Sequence, residues 1–284
     1  MVDFTQRNLK VFFRQKSAVF FSLLGVLIVI GLYVLFLGDV WVSNFPGIEG
    51  AKGLMGTWVI AGIVSITPVT TAMGAFEAMV QDRSRGMTRD FFASPVRRWK
   101  LVGGYVLSAY VVALLMSLAA LGLGQLYILS CGGGVFSWGA LGKTLCILPL
   151  STLASSALVF FLVSFFRSSA AFSTAGTIIG TLIGFVTGIY LPVGSLPEAV
   201  QWVVKLFPVS HAGALLRQVL LEEPIRTCFA GAPEAAVQGF RETMGVTYAY
   251  GGFTAGPLVH VLVLLGTSSV FFLLAWWFVA RKKE

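Results

Sequence analysis

Residues that perform chemistry are few in this sequence, and they do not gather. The chain has two histidines, His211 and His260, and three cysteines without a CxxC pair, so no metal site is expected. An intramembrane hydrolase needs acidic and histidine side chains at one depth, whereas Glu77 and the histidines are scattered. The segment 139–144, GALGKT, lacks the first glycine of a phosphate loop, because Ser137 stands there. No catalytic residue and no cofactor is therefore expected on this chain.

The composition assigns the chain to a membrane. Hydrophobic residues make up 57% of it and charged residues only 11%, with a mean hydropathy of +0.87, whereas a soluble domain carries about 25% charged residues. Apolar segments of spanning length lie at about 18–37, 55–76, 101–122, 144–166, 170–191 and 257–280. The sequence therefore predicts an all-α integral membrane protein, with six transmembrane helices in a single transmembrane domain over residues 1–284.

Two flanking segments complete the predicted fold. Residues 1–16 place Arg7, Lys10 and Arg14 on one helical stripe among apolar residues, which favours an amphipathic helix lying on a membrane face. A frayed basic tail is the alternative for this segment. Residues 192–256 form a long segment before the last span, with short apolar helices that we expect to re-enter the outer leaflet.

The basic residues indicate orientation. Of the 20 Lys and Arg residues, most fall at the two termini, in the loop 77–100 and at Arg167, which by the positive-inside rule places these parts in the cytoplasm. Both termini are then cytoplasmic, in a multi-pass protein of the cell inner (plasma) membrane. The net charge of +8 is explained by orientation and by contact with the lipid bilayer, so no nucleic acid is expected. Cys131 and Cys228 would both face outward, either as a disulfide or as two unpaired thiols.

The predicted span 170–191 carries a stripe of small residues. Its glycines recur at every fourth position, with two threonines alongside: Gly176, Gly180, Gly184, Gly188, Thr177 and Thr181. Small residues at this spacing allow another helix to approach closely. A tight contact near a dimer seam or conduit and ordinary packing inside one bundle both remain open.

The cytoplasmic loop 77–100 combines charge with exposed apolar residues. Gly86 is expected to turn the chain, Phe91 and Phe92 to offer apolar surface to a soluble partner, and Pro95 to begin the next helix. The alternative is a solvated loop that only fixes topology. The spans contain no acidic or basic residue in their interiors, so coupling to protons at membrane depth is disfavoured.

Here the sequence resembles the membrane subunits of type-2 ABC exporters, which include drug, antibiotic and polysaccharide export permeases. The resemblance covers nearly the whole chain, and the residues that carry it lie in two stretches. They are Glu77, the Arg83-x-x-Gly86-Met87 turn, Ser94-Pro95-Val96 with Arg97, Arg98 and Lys100, Gly103-Gly104, and residues 189–218.

The resemblance implies partners and a mechanism. Two such permeases, copies or homologues, pair and sit on two cytoplasmic ABC ATPase subunits, which bind ATP and Mg. A coupling element between Glu77 and Pro95 would dock on the ATPase; its expected residues are Glu77, Arg83, Gly86, Phe91, Phe92 and Pro95. Unlike in larger relatives, no fused ATPase is expected on this chain.

The segment 192–256 is expected to include an outer gate. Leu196 and Phe207 lie on a short apolar helix, and Ser210 is expected to cap a second one. His211 is interpreted either as a titrating gate or as a surface histidine. Residues 222–256 form an extra outer loop with one helix near 233–244.

The expected function is that of a permease subunit of an ATP-driven ABC exporter, forming the path for an amphipathic small molecule, drug or peptide. Export of a lipid-linked glycan or polysaccharide is the alternative, and a membrane scaffold without transport is a remote one.

Overall fold

The computed structural model describes residues 1–37, 50–87 and 97–281. Its first helix, α1 (Val2–Arg14), is followed without a loop by α2 (Lys16–Leu32), which continues into a π-helical turn, Tyr33–Leu37. Polar and apolar residues separate on α1, whereas α2 is apolar all round. The two helices therefore differ in solvent: α1 suits a membrane surface and α2 its interior.

Within the described ranges, five helices are long and apolar enough to cross a membrane. They are α3 (Ala51–Ser84), α4 (Arg98–Ser130), α5 (Trp138–Val163), α6 (Ser169–Val186) and α11 (Pro257–Arg281). A sixth candidate span is a helix pair, α7 (Glu198–Leu206) and α8 (Pro208–Leu220), which bends by 87°. The apolar stretch of α2, Ser22–Leu35, is shorter than these. The predicted all-α membrane fold is confirmed, including the short helices before the last span.

Helix α3 is the centre of the bundle, packing against α4, α5, α6 and α8. Its residues from Leu54 to Val69 are buried by neighbouring helices. The close packing depends on glycines. A methyl group added at Gly124 of α4 would overlap Ile60 of α3, and one at Gly62 of α3 would lie 2.6 Å from Ile189. Small residues thus let backbones approach and gain dispersion contacts.

Helix α6 ends earlier than the predicted span 170–191. Gly188 adopts a φ of +66°, and the amide of Ile189 donates to the carbonyl of Gly184 at 2.9 Å. The amide of Gly188 donates to Phe185 at 3.1 Å. This is the Schellman arrangement, in which a left-handed glycine terminates a helix. Gly188 is therefore a cap, and the fourth member of the glycine stripe lies outside the helix.

Beyond α6 the chain builds a cover over one end of the bundle. It contains a 3₁₀ turn (Val193–Ser195), the bent pair α7–α8, α9 (Glu222–Cys228), α10 (Glu234–Thr243) and a hairpin, β1 (Tyr248–Tyr250) with β2 (Phe253–Ala255). The strands are antiparallel, with Tyr248 opposite Ala255. The predicted helix near 233–244 is present, whereas α9 and the hairpin were not predicted. We call this end of the bundle the hairpin end and the opposite one the α1 end.

Candidate functional site

A cavity of about 680 Å³ lies between α1, α2, α3 and α6. We call it the side cavity. Along α3 it extends from Ile63 to Gln81, roughly 27 Å at 1.5 Å per residue, which is most of the hydrocarbon thickness of a bilayer. Its apolar lining includes Val26, Val29, Ile66, Met73 and Phe172. The side cavity is therefore long enough to extend across most of the hydrocarbon layer of a membrane.

The polar lining of the side cavity consists mainly of hydroxyl groups. Thr67 donates to the carbonyl of Ile63 at 2.8 Å, Thr70 to Thr67 at 3.1 Å, and Thr177 to Ser173 at 3.2 Å. A hydroxyl that donates to its own helix keeps lone pairs to accept with. The cavity thus offers hydrogen-bond acceptors on an otherwise apolar wall.

The glycine stripe of α6 divides into two parts. Gly176 and Gly180 line the side cavity, and a methyl group added at Gly180 would meet nothing within 4 Å. Gly184, by contrast, lies against the ring of Tyr190, which an added methyl group would overlap. Thr177 and Thr181 are exposed. The described residues place no helix in close approach at Gly180, so the first part of the stripe faces the cavity.

At the α1 end, three helices meet at a buried carboxylate. Arg7 of α1 donates to Asp82 of α3 through both terminal nitrogens, at 2.6 and 3.2 Å, and Tyr105 of α4 donates to the same carboxylate at 2.6 Å. The hydrogen bond to Asp82 raises the pKa of Arg7, so the guanidinium stays charged. Three helices are joined at a carboxylate that is only 6% exposed.

Gly104 allows α1 to reach that carboxylate. A methyl group added at Gly104 would lie 2.7 Å from the ring of Phe4, and Phe4 packs edge-to-face on Tyr105 with ring centres 4.9 Å apart. Gly103-Gly104 was among the residues that carry the family resemblance, whereas the Arg7–Asp82 ion pair was not predicted. The sequence did contain a signal for this pair, because Asp82 follows a predicted span and Arg7 lies on the predicted amphipathic helix.

The predicted coupling residues are distributed over the α1 end. Glu77 lines the side cavity and accepts from Gln81 at 3.1 Å. Arg83 donates to the carbonyls of Phe166 and Val163, at 2.9 and 3.4 Å, where α5 ends. Gly86 has a φ of +76° just after α3, the turn that the sequence predicts. Phe91, Phe92 and Pro95 lie outside the described residues.

At the hairpin end a second charge is buried, which was not predicted from the sequence. Arg217 of α8 is 0% exposed. It donates to the carbonyls of Gly188 and Thr187, at 2.8 and 3.4 Å, and its guanidinium carbon lies 4.9 Å from the ring centre of Trp58. Those carbonyls stand at the C-terminus of α6, the negative end of its dipole. The C-terminus of α6 and the face of Trp58 thus stabilise the charge of Arg217. Among the described residues, no carboxylate forms an ion pair with it.

His211 is not a surface residue. It is 3% exposed and His260 is 0% exposed, and their Nδ1 atoms lie 2.8 Å apart. The expectation of a surface histidine is wrong because α11 and β1 cover α8. Ser210 does not cap α8 either; its hydroxyl donates to the carbonyls of Val204 and Phe207, since Phe207 occupies the cap position.

The other two predicted gate residues, Leu196 and Phe207, pack against different hydrophobic clusters. Leu196 packs against the small cluster under the hairpin that contains Val193 and Tyr248. Phe207 packs against the main core of the bundle. All three cysteines have free thiols. In the part of the chain that the structure describes, no three His, Cys, Asp or Glu side chains gather as metal ligands would.

The family model of the ABC-2 family transporter protein matches residues 43–277, which include α3 to α10 and most of α11. The chain belongs to this family. The resemblance seen in the sequence is confirmed, and the family implies partnership with an ABC ATPase subunit and with the membrane.

Three curated relatives of this ABC-2 chain are nodulation proteins J. The one from Rhizobium meliloti (strain 1021) is 25% identical over 166 residues, 58% of this chain and 62% of the relative. The match thus covers less than two thirds of that relative's length. The proteins from Rhizobium leguminosarum bv. trifolii and bv. viciae are each 26% identical over 213 residues, 74% of this chain and 78% or 79% of theirs.

Proposed function

We propose that this ABC-2 chain is the permease subunit of an ATP-driven exporter, and that the side cavity forms part of the substrate path. The observation that carries the proposal is the cavity itself, which runs along α3 for most of a membrane thickness and ends near Glu77 and Gln81. Below that point α3 ends at Ser84 and enters the loop that we expect to contact the ATPase. A movement of the loop can therefore reach the cavity through one continuous helix.

The lining supports an amphipathic substrate. Apolar side chains of α2, α3 and α6 suit a hydrocarbon part, and the hydroxyls of Thr67, Thr70 and Thr177 suit a part that donates hydrogen bonds. Amphipathic drugs and peptides have both of these parts and therefore match the lining of the side cavity. A lipid-linked glycan is the second candidate, because sugar hydroxyls are donors that match an acceptor-rich wall.

The exposed face of α6 supports a second permease copy or homologue. Ile178, Leu182 and Phe185 are each about half exposed. Lipid or a partner must cover these apolar side chains, and the resemblance to permeases that act in pairs favours a second copy. With the basic loop and both termini in the cytoplasm, the hairpin end faces outward and the substrate leaves there.

Filling the side cavity tests the proposal. Gly180→Leu adds a side chain to the cavity at a point where it meets no atom, so transport should fall at least tenfold while the chain still folds. Gly266→Leu is the matched control, because a methyl group added at Gly266 of α11 also meets nothing within 4 Å and Gly266 does not line the side cavity. Inside-out vesicles that hold the permease and its ATPase would be assayed for ATP-driven uptake of rhodamine 6G and of a fluorescent lipid-linked disaccharide.

The two probes separate the two substrate classes. Uptake of rhodamine 6G alone supports the amphipathic drug, and uptake of the disaccharide alone supports the glycan. Equal transport by Gly180→Leu and Gly266→Leu, with either probe, contradicts a path through the side cavity.

The loop is tested separately with the ATPase. Truncating Phe91 and Phe92 to Ala removes apolar area that a groove would bury, at about 25 cal/mol per Å², so co-purification of the ATPase should weaken. Glu77→Gln should lower substrate-stimulated ATP hydrolysis more than co-purification, because Glu77 lies in the side cavity wall. If neither change alters either quantity, the loop only anchors the topology.

A further inference from the structure

The two histidines of the chain form one continuous hydrogen-bonded row at the hairpin end. His211 Nε2 lies 2.8 Å from the carbonyl oxygen of Lys205, His211 Nδ1 lies 2.8 Å from His260 Nδ1, and His260 Nε2 lies 3.2 Å from the amide nitrogen of Gln218. The same amide nitrogen donates to the carbonyl of Val246 at 2.9 Å. Four separate stretches, α7, α8, α11 and the segment between α10 and β1, meet in this row.

Each proton in the row has a single consistent position. A carbonyl only accepts, so His211 Nε2 carries a proton and donates to Lys205, which leaves Nδ1 of the neutral ring as an acceptor. His260 Nδ1 must then donate to His211. His260 Nε2 is left as an acceptor, and the Gln218 amide, a donor, satisfies it. Both rings are neutral, and every ring nitrogen is satisfied.

One more proton breaks this row. A proton on His211 Nδ1 would face the proton of His260 Nδ1 across 2.8 Å. A proton on His260 Nε2 would face the Gln218 amide, and turning that amide to offer its oxygen would remove the hydrogen bond to Val246. The added charge would also lie among side chains that are almost entirely buried, where an unpaired charge is costly.

The groups around the pair offer no compensating negative charge. The ring of Tyr248 faces both histidines, and Tyr250 donates to the same Lys205 carbonyl as His211. Lys143 of α5 and Glu222 of α9 pair with each other at 3.4 Å beyond Gln218. Helix α3 has no titratable side chain between Lys52 and Glu77, and α11 has none between His260 and Arg281. Among the described residues neither histidine makes an ion pair with a carboxylate. A proton added to either ring would therefore have no carboxylate partner in the described part of the chain.

We propose that His211 and His260 are a proton-sensitive latch, which holds the bent pair α7–α8 against α11 while both rings are neutral and releases it when the outer compartment is acidic. The outward orientation rests on the proposed function, whereas the latch itself rests on the geometry of the row. Release would uncover the hairpin end of the bundle, where the proposed path leaves the protein.

The direction of the pH dependence follows from proton counting. A water-exposed imidazole has a pKa of about 6.5, so the released state takes up a proton below that pH and the latched state does not. The latched state therefore keeps its full advantage above pH ~6.5 and loses it as the pH falls further. Uptake of one proton on release makes the released population grow about tenfold per pH unit.

The test is amide hydrogen exchange in nanodiscs between pH 7.5 and 5, corrected for the chemical exchange rate. A chain with a histidine-free tag contains only these two imidazoles, so their ¹³C signals can be followed in the same samples. Amides of 198–220 and 248–255 should exchange about tenfold faster per pH unit below about 6, together with the histidine signals. Amides of α4 should show no such change and serve as the internal control.

Two variants separate the latch from other acid effects. The double variant His211→Asn with His260→Asn has no imidazole and should lose the pH dependence. Gln218→Glu keeps both rings and places a carboxylate beside His260 Nε2, so the added proton gains a partner and release should shift to lower pH by at least one unit.

Several outcomes would overturn the latch. They are an unchanged exchange rate in the wild type down to pH 5, the same acceleration in the imidazole-free variant, and release of Gln218→Glu at the wild-type pH. If the double variant does not fold, the wild type and Gln218→Glu still decide. The measurement needs neither ATPase nor substrate, so it stands apart from the Gly180→Leu test. In proteoliposomes, release by acid on the α1 side alone would contradict the proposed orientation and leave the latch intact.

Discussion

At the α1 end, Asp82 receives hydrogen bonds from Arg7 and Tyr105, so one buried charge has an opposite charge beside it. At the hairpin end, Arg217 has two carbonyls and the face of Trp58, and the histidine pair stays neutral. The first arrangement joins three helices by a contact between opposite charges. The second holds its helices with dipoles and shared protons, which a change in charge can disturb. We infer that the α1 end transmits movement and that the hairpin end is the part that opens.

The largest effect is expected at Arg217. Arg217→Met leaves two carbonyls at the end of α6 without their donor, and hydrogen bonds that involve a charged group are worth about 1.5–3 kcal/mol each. We expect thermal unfolding in detergent at a clearly lower temperature, with Arg217→Lys in between because it keeps the charge and loses the flat stacking on Trp58. Arg226→Met, at an exposed position of α9, is the control and should be near neutral. If Arg217→Met unfolds like the wild type, the dipole account of this end is wrong.

The next effect is expected at the α1 end. Arg7→Ala leaves the buried Asp82 with Tyr105 alone and should cost about 1–3 kcal/mol, less than a fully buried pair, because Arg7 is partly exposed to water. Asp82→Ala should cost a similar amount, and the double variant less than the sum. Lys10→Ala, an exposed change on the same helix, should have little effect. Additive losses in the double-mutant cycle would show that the two residues do not act as a pair. Coupled ATP hydrolysis should fall with Arg7→Ala if this end transmits movement.

The smallest effect is expected at Gly180 of α6, and it is best seen by comparison with Gly184 of the same helix. Gly184→Ala places a methyl group on the Tyr190 ring and should destabilise the chain by about 1–3 kcal/mol, as overpacking does. Gly180→Ala meets no atom and should be neutral or stabilise by about 0.5–1 kcal/mol, the helix preference of alanine over glycine. Melting temperatures of the two variants compare them directly. Equal changes would mean that α6 lies differently against the segment after it.

The sequence predicted the membrane class and most of the helices, because apolar runs and their basic flanks are local signals. The predicted end of α6 was wrong, since Gly188 fits the four-residue glycine spacing and yet serves as the cap. The hairpin was missed because two three-residue strands leave little pattern. The burial of Arg217 was not predicted, because a single Arg in a short helix carries no sign of burial.

By itself the sequence determined that this chain spans a membrane, carries a surface helix before its first apolar segment and belongs to the ABC-2 family. The tertiary structure decided which polar groups meet. Arg7 and Asp82 are 75 residues apart in the chain, and His211 and His260 are 49 apart. Periodicity gives the face that a helix presents, but the partner of that face depends on how helices are rotated and shifted against each other. Those positions are fixed by close packing at glycines such as Gly62, Gly104 and Gly124, a property of two surfaces together.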